Sequence, residues 1–316
     1  MADGSILFQW MVDTREWYSE VDKVKDLRTA ASDALAFLTP DYQEPIFSQH
    51  FVKDAKMVLA SALLKHYAVT RLTGTPWRAV GGGLSRNRLK KPIFRDAAGV
   101  ETVRFNVSHQ SGLVAIAAVA TRDYPAGDVE IGVDVVCTSE RRTSDHSYIA
   151  RDGWPAFVDT FAEVFAPEEE RYLKNRVLYA VPGLLPPNAT DEEVSDGRLR
   201  AFYSLWAMRE AYVKLTGVAL LADWLRLLEF RDFIPPRPSI GWGTQEGFDV
   251  IGDTEMYFKG VRVRDISLSL RSLGDDFMFC TAIRTPSKVE DGLSWPLKPY
   301  EKLTLEDVLD MARMNP

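Results

Sequence analysis

The stretch FYSLWAMREAYVKLTG, residues 202–217, has the spacing of one amphipathic helix. Its apolar side chains recur at helical intervals and predict a face that packs on the core: Leu205, Met208, Tyr212 and Leu215. Glu210 and Lys214 stand four residues apart, so they share another face of the same helix. That face could bind a metal ion and a phosphate, or it could be a solvated face with an ordinary ion pair. The helix alone leaves both alternatives open.

The stretch VEIGVDVV, residues 129–136, alternates with the period of two that is typical of a strand. Asp134 therefore projects from the face opposite its two valine neighbours. A carboxylate in an apolar strand is costly to bury unless it is paired or binds a metal ion. Asp134 is thus either a metal ligand, or a strand-end residue that caps a turn or pairs with Arg141 or Arg142.

The segment RFNVSHQSGLVAIAAVA, residues 104–120, predicts a short strand, a polar hairpin tip and a second, buried strand. The tip brings together hydroxyls, an imidazole and backbone N–H groups, from Ser108, His109, Gln110 and Ser111. Such donors suit a phosphate. The alternative is a turn whose serines hydrogen-bond their own backbone.

The composition limits the class of protein. A length of 316 residues, 46% of them hydrophobic, is enough for one large domain or two smaller ones. The net charge of −7, without a strong basic block, argues against nucleic acid as a partner. An anionic ligand would therefore need a local basic pocket, because the overall charge does not attract it.

The cysteines and the apolar runs bear on the compartment. Cys137 and Cys280 lie far apart on strand-like segments, which predicts buried thiols in a reducing compartment. No signal peptide is evident in the first residues. The most apolar run, residues 113–120, is far shorter than the ~20 residues that span a bilayer. We therefore expect a cytoplasmic protein with no membrane partner.

Taken in this order, FNVSHQSG, IGVDVV and WAMREAYVK resemble the motifs of the Sfp-type 4'-phosphopantetheinyl transferases. The resemblance is closest to the broad-specificity cytosolic enzymes of filamentous fungi, and it covers most of residues 1–285. It implies an α+β fold of two similar α/β halves, a pseudo-duplication, with the active site in the cleft between them. The N-terminal half, 1–128, would cradle the 3'-phosphate of coenzyme A. The C-terminal half, 129–285, would hold the metal site and the catalytic helix, and residues 286–316 would form a tail.

The resemblance also implies an activity. An enzyme of this family transfers the 4'-phosphopantetheine arm of coenzyme A to a serine hydroxyl of acyl, peptidyl or aryl carrier protein domains and releases 3',5'-ADP. The reaction depends on Mg²⁺, for which Mn²⁺ can substitute. Carrier domains of fatty-acid, polyketide and nonribosomal-peptide synthases and of aminoadipate reductase are the implied partners. Because one chain contains both halves, we expect a monomer.

Three residues carry the chemistry that the resemblance implies, and a fourth is a possible metal ligand. Asp134 and Glu210 would bind the metal ion, and Glu210 would also be the general base. Lys214 would contact the phosphate and stabilise the departing 3',5'-ADP. Many bacterial members have a third acid where this chain has Val136. A water molecule or Gln110 would take that coordination position.

Coenzyme A would be held by residues of both halves. Ser108 and His109 match the family's contacts to the 3'-phosphate. Lys91, which precedes a proline, and Lys56 match further basic contacts, although a lone lysine is more often a solvated surface residue. Arg209 stands where family members usually carry lysine, and its planar guanidinium could hold a phosphate with two hydrogen bonds.

Two other classes of function make different predictions. A non-catalytic protein that binds coenzyme A or a carrier would keep the polar tip and lack one of the acids. Another metal-dependent nucleotide enzyme would have a glycine-rich phosphate loop that opens a helix. The glycines at 81–83 lack that context, so we interpret them as a flexible linker.

Other segments outside the motifs give weaker expectations. Residues 138–155 are polar and predict an exposed loop, and residues 181–197 are acidic and Pro-rich and predict a mobile segment. The tail either packs on the surface or stays loose. Glu169, near the start of a predicted helix, is expected to have a structural role.

Overall fold

A computed structural model describes residues 7–89, 91–121, 124–125, 127–180, 185–217, 224–231, 233–239, 250–251 and 254–316. Runs of helices and runs of strands follow one another along this part of the chain. The strands are β1 (Leu7–Asp13), β2 (Leu84–Arg86), β3 (Pro92–Phe94), β4 (Val103–Gln110), β5 (Leu113–Ala120), β6 (Glu130–Cys137), β7 (Leu228–Arg231), β8 (Val250–Ile251), β9 (Glu255–Phe258), β10 (Val261–Arg262), β11 (Ser267–Leu273), β12 (Phe277–Arg284) and β13 (Glu301–Lys302).

Two long helices stand out among shorter ones. The helices are α1 (Leu27–Ala30), α2 (Ser32–Leu35), α3 (Pro40–Phe47), α4 (Val52–Thr73), α5 (Trp77–Gly83), α6 (Arg142–Asp152), α7 (Trp154–Asp159), α8 (Pro167–Asn175), α9 (Val177–Ala180), α10 (Asp191–Thr216), α11 (Val289–Ser294) and α12 (Leu305–Met314). No helix in the ranges given above combines the length and the apolarity that a membrane span needs.

The first half is a six-stranded sheet in the order β13-β1-β5-β4-β3-β2, with α4 packed on one face. The strand β5 is apolar throughout, and its alternate residues point to opposite faces, so it can pack on both sides. Val114, Ile116 and Ala118 join the core under α4. The residues between them face away from α4, into a second core shared with the other half.

The second half repeats this arrangement with a four-stranded sheet in the order β6-β12-β11-β8, on which α10 packs. Gly132 of β6 lies so close to α10 that a Cβ there would be 1.8 Å from the carbonyl oxygen of Ala211. The strand and the helix therefore touch backbone to backbone. Each half packs one long helix on one sheet, which confirms the expected α+β fold with two halves.

The two sheets are joined along β4 and β6. The free edge of β6 presents backbone N–H groups, which a buried strand must satisfy. Side-chain oxygens from alternate residues of β4 accept them. The pairs are Val133 N–H to Asn106 at 2.8 Å, Val135 N–H to Ser108 at 3.3 Å and Cys137 N–H to Gln110 at 3.1 Å. The polar segment of the sequence thus connects the halves.

The C-terminal tail packs on the first half. Its strand β13 pairs in parallel with β1, and Trp10 Nε1 donates a hydrogen bond to Glu301 at 3.0 Å. The helix α12 buries Val308, Leu309 and Ala312 in the core under α4. The tail was expected either to pack on the surface or to stay loose, and the structure shows that it packs.

Two segments that we expected to be irregular are helical. Residues 81–83 are the end of α5, where a Cβ on Gly83 would lie 2.3 Å from the Arg95 carbonyl oxygen. The glycine there serves close packing and is not a flexible linker. Most of the predicted loop 138–155 is α6 and the start of α7.

The acidic segment 181–197 contains a further correction. Its first residues, 181–184, lie outside the described residues. From Asp191 onward it is the first part of α10, which begins with a capping box formed by Thr190 and Glu193. Three acids in the first turn favour this helix end, because they face its positive dipole. The prediction of a mobile segment is therefore wrong from residue 191.

The polar hairpin tip is also shorter than expected. Ser108, His109 and Gln110 are the last residues of β4, and the turn consists of Ser111 and Gly112. Both turn residues have positive φ, 49° and 88°, as in a two-residue hairpin turn. The side chains of β4 consequently alternate between its two faces, so Ser108 and His109 point to opposite sides of the sheet.

Candidate active site

Asp134 lies at the junction of the two halves, on the face of β6 that packs against α10. Asp134 is 5% exposed, and its carboxylate accepts a hydrogen bond from Lys214 Nζ at 2.6 Å. Ser108 Oγ donates to the same oxygen at 3.1 Å and accepts from Lys214 Nζ at 2.9 Å. An acid, a base and a hydroxyl from three different elements therefore form one hydrogen-bonded group.

The arginines considered as partners of Asp134 are engaged elsewhere. Arg142 binds Asp196 through two nitrogens, and Arg141 pairs with Asp145. The interpretation of Asp134 as a strand-end residue paired with either arginine is therefore wrong. Its basic neighbour comes instead from the last turn of α10.

Glu210 lies one turn before Lys214 on α10 and is half-buried. Burial and the charge of Asp134 together raise the pKa of Glu210 to about 7, against the opposing effect of Lys214. Burial also raises the pKa of Asp134, against the effects of Lys214 and Ser108. The charges of the two carboxylates repel each other, so a cation bound by both would relieve an unfavourable interaction.

The donor set of this crevice fits a hard divalent cation. Carboxylate oxygens are the ligands that Mg²⁺ prefers, and one or two of them are typical. Within the described part of the chain, no group of three or more His, Cys, Asp or Glu residues could hold a metal ion. Gln110, two residues after Ser108 on β4, has an amide oxygen that accepts from Cys137 N–H. A carbonyl oxygen has a second lone pair, so Gln110 could still act as a ligand.

On the opposite face of β4, His109 lines a cavity of about 480 Å³. Basic and hydroxyl groups dominate its polar lining, with Asp41 as an acid: Ser61, Lys65, Ser85, Arg86 and His109. Burial and the charge of Arg86 lower the pKa of Lys65 to about 8. Burial, Lys214 and Lys65 likewise lower the pKa of His109. Burial is the main cause of both shifts, and the neighbouring cations add to it, so a bound anion would favour the charged forms of both groups.

Sequence reasoning missed Lys65 and Arg86. A signal for Lys65 exists, since it is a single charge inside the apolar run SALLKHYAV of α4. No carboxylate among the described residues forms an ion pair with Lys65. A half-buried lysine without such a partner is a better sign of an anion site than an exposed one. Arg86 lies in a short edge strand and gives no comparable signal.

The structure does not bring the two expected lysines into this cavity. Lys56 is buried and donates to the carbonyl oxygens of Arg15 at 3.1 Å and Trp17 at 2.7 Å. Lys91 donates to the carbonyl oxygen of Leu215 at 2.8 Å. Both side chains bond to backbone carbonyls, so neither is a simple solvated surface lysine. Their expected contact with the 3'-phosphate stays a prediction.

Arg209 likewise lies away from the crevice. It is fully buried, forms an ion pair with Glu169 and donates to the carbonyl oxygen of Leu225 at 2.8 Å. Glu169 also accepts from Phe230 N–H at 2.8 Å. The guanidinium of Arg209 connects α10 to α8 and β7, so its position in the structure gives no support to the expected phosphate contact. The structural role expected for Glu169 agrees with this network.

Each half of the chain matches a family model. Residues 25–121 match the family model described as 4'-phosphopantetheinyl transferase, N-terminal, and residues 130–253 match that of the 4'-phosphopantetheinyl transferase superfamily. The chain belongs to this superfamily. It is accordingly an enzyme of the phosphopantetheinyl transferase type, whose substrates are coenzyme A and a carrier protein.

Similarity to individual proteins agrees with this assignment. The chain is 40% identical over 303 residues to 4'-phosphopantetheinyl transferase 1 of Fusarium mangiferae, covering 96% of this chain and 94% of the relative. It is 30% identical to 4'-phosphopantetheinyl transferase NpgA of Emericella nidulans, covering 96% and 93%. A human relative, L-aminoadipate-semialdehyde dehydrogenase-phosphopantetheinyl transferase, is 24% identical over 80% of this chain and 69% of its own. The predicted resemblance to the fungal enzymes is confirmed.

Proposed function

We propose that coenzyme A binds across β4, with its diphosphate at Asp134, Glu210 and Lys214 and its 3'-phosphate in the cavity beside His109. The observation that carries this proposal is that two different sites lie on the two faces of β4. One could bind an anionic group through a metal ion and Lys214, and the other through basic residues. Coenzyme A has two separate anionic groups, a diphosphate and a 3'-phosphate. A site for only one of them would not need both the acids and the basic cavity.

The basic cavity suits the 3'-phosphate. His109, Lys65 and Arg86 supply hydrogen-bond donors and positive charge in a partly enclosed space, where charge-assisted hydrogen bonds are strong. Ser108 faces the other side of β4, where its hydroxyl lies between Asp134 and Lys214. In this proposal Ser108 therefore contacts coenzyme A on the side of the diphosphate.

Asp134 and Glu210 would hold the metal ion, with Gln110 or water as a further ligand. Bound Mg²⁺, or Mn²⁺ in its place, would neutralise the negative charge of the diphosphate oxygens. Lys214 is hydrogen-bonded to Asp134 in the structure. Its long side chain can exchange this partner for a phosphate oxygen, where it would stabilise the negative charge that develops on the departing 3',5'-ADP.

Glu210 would act as the general base. A base works best when its pKa is near the operating pH, and the pKa of Glu210 is raised to about 7. The serine Oγ of the carrier attacks the phosphorus atom next to the pantetheine. Its proton passes to Glu210, directly or through water, and the bond between that phosphorus and the 3',5'-ADP oxygen breaks.

The carriers are proposed by class. We propose that the chain modifies carrier domains of fatty-acid, polyketide and nonribosomal-peptide synthases, in the cytoplasm and as a monomer. The human relative is named for L-aminoadipate-semialdehyde dehydrogenase. We therefore include aminoadipate reductase, and with it lysine biosynthesis, among the proposed targets.

Intact-mass spectrometry of an apo carrier domain tests this function. The carrier is incubated with the enzyme, coenzyme A and Mg²⁺, and a mass gain of one phosphopantetheine group on its serine is expected. A carrier with alanine in place of that serine and a reaction with chelator are the controls. Binding of coenzyme A without a mass gain on carriers of all four proposed classes would favour the non-catalytic alternative.

A further inference from the structure

Lys91 of the first half reaches across to the second half. It follows a tight turn in which Asn87 Oδ1 accepts the N–H groups of Leu89 at 2.9 Å and Lys91 at 3.0 Å. The N–H of Asn87 donates in return to the Lys91 carbonyl oxygen at 2.9 Å. The backbone at Lys91 is therefore held in place before its side chain makes any contact.

The ammonium of Lys91 lies where β6 and α10 meet. It donates to the carbonyl oxygen of Leu215 at 2.8 Å and lies 3.5 Å from that of Ile131. Leu215 is in the last turn of α10, whose carbonyls lack partners within the helix. A cation is favoured at this end by the helix dipole as well. One ammonium therefore contacts both elements that carry the catalytic acids.

The aliphatic part of Lys91 packs on the end of the same helix. Gly217 ends α10 with a φ of 79°, and a Cβ there would lie 3.0 Å from Lys91 Cδ. Burial lowers the pKa of Lys91 to about 8, so the ammonium has lost much of its water. No carboxylate among the described residues forms an ion pair with it. The backbone carbonyls are thus the main compensation for this burial.

We propose that Lys91 is a positioning residue, which fixes the C-terminal turn of α10 against β6 and so sets where Glu210 and Lys214 stand relative to Asp134. This inference rests on the proposed function of those three residues. It is an alternative to the expectation that Lys91 binds the 3'-phosphate of coenzyme A. The two roles differ in what they predict for coenzyme A that lacks this phosphate.

The test measures kcat and KM of Lys91→Met with coenzyme A and with dephospho-coenzyme A. Methionine keeps the aliphatic packing on Gly217 and removes only the ammonium. We expect kcat to fall about tenfold with both donors, because small displacements of catalytic groups cost one to two orders of magnitude in rate. The ratio of the two KM values should not change. A rise in KM for coenzyme A alone, with kcat preserved, would overturn the proposal.

Hydrogen exchange gives a readout that does not depend on activity. Amides of residues 213–217 should exchange faster in Lys91→Met, and Lys91→Arg should restore both their protection and kcat. Lys53→Met, which removes an exposed lysine of α4, is the matched control and should change neither. Unchanged protection in Lys91→Met would refute the positioning role even if the wild-type protein proved inactive on carriers. Should Lys91→Met not fold, Lys91→Gln is measured in the same two ways with the same criteria.

Discussion

The two halves share a scaffold and differ in their chemistry. In each, one long helix packs on a sheet, and polar residues lie beside the strand that meets the other half. The helix α4 contributes Lys65 to a cavity with a basic lining, whereas α10 contributes Glu210 beside the buried Asp134. The same architecture therefore supplies cations on one side and carboxylates on the other. A donor with two anionic groups, one of them bound through a metal ion, needs this division.

The two long helices also differ in how firmly their ends are held. Both finish at a glycine with positive φ, Gly74 for α4 and Gly217 for α10. Only α10 of the two begins with a side-chain capping box, at Thr190, and its last turn is additionally contacted by Lys91. Ligand binding tolerates some movement of a helix, whereas proton transfer and phosphate stabilisation require fixed distances. The better-anchored helix carries the residues with the stricter requirement.

Asp134→Ala should separate the functions of the two halves most clearly. We expect turnover to fall at least about 10⁴-fold, because a metal ligand and the partner of Lys214 are lost together. Binding in the basic cavity should persist, so coenzyme A should still protect the variant against thermal unfolding. Asp22→Ala, an exposed aspartate of the first half, is the control for the loss of one negative charge. Turnover near the wild-type value would exclude Asp134 as a metal ligand.

Glu210→Gln separates binding from chemistry within the second half. Glutamine keeps the shape and removes the base, so we expect kcat to fall about 10²–10⁴-fold with a smaller change in KM for coenzyme A. In the wild-type enzyme, kcat should rise with pH on an acid limb whose midpoint lies at or below about 7, because a bound cation lowers the pKa of Glu210. Steady-state rates across pH show this limb, which the variant should lack. Equal losses in binding and rate would count against the base role.

His109→Ala and Lys65→Met change the basic cavity and leave the acids untouched. Each removes a charge-assisted contact, so we expect KM for coenzyme A to rise about 10–100-fold. KM for dephospho-coenzyme A should stay near its wild-type value, since that donor has no 3'-phosphate. Lys53→Met again serves as the control. Equal weakening of both donors would place the 3'-phosphate outside this cavity.

The smallest expected effect concerns stability without substrate. The pKa of Glu210 is raised on folding, so the folded protein binds more protons than the unfolded chain between pH 4.5 and about 7. The free energy of unfolding should consequently fall as pH rises through this window in the presence of chelator. Mg²⁺ should restore it, with a rise in Tm of roughly 5 °C at pH 8 and a smaller one at pH 5. A rise that is larger at pH 5 would contradict the carboxylate site.

Local periodicity made much of the site predictable. The shared face of Glu210 and Lys214 follows from helical spacing, and the facing of Asp134 follows from strand alternation, because both depend on near neighbours in sequence. Their assignment to one site came from the family resemblance. The surroundings of the Lys91 and Arg209 side chains could not be predicted in this way. Their partners, a backbone carbonyl at Leu215 and the carboxylate of Glu169, approach only when distant elements pack. A motif identifies a residue type and leaves open which atoms will surround it.

The segments 138–155 and 191–197 were predicted wrongly for two different reasons. The helix α6 is almost entirely polar, so its sequence lacks the apolar stripe by which helices are recognised. The start of α10 did carry a signal, since Thr190 and Glu193 have the spacing of a capping box. We predicted a mobile segment there from the acidic and Pro-rich composition, although the capping-box motif was the more informative signal.

The tail of the chain has a consequence for how the protein matures during translation. The edge strand β13 and the helix α12 complete the core of the first half, yet they are synthesised after the whole of the second half. The sheet of the first half therefore has one open edge, and part of α4 is uncovered, until β13 and α12 leave the ribosome. A nascent chain therefore contains the whole sequence of the second half before the core of the first half can close.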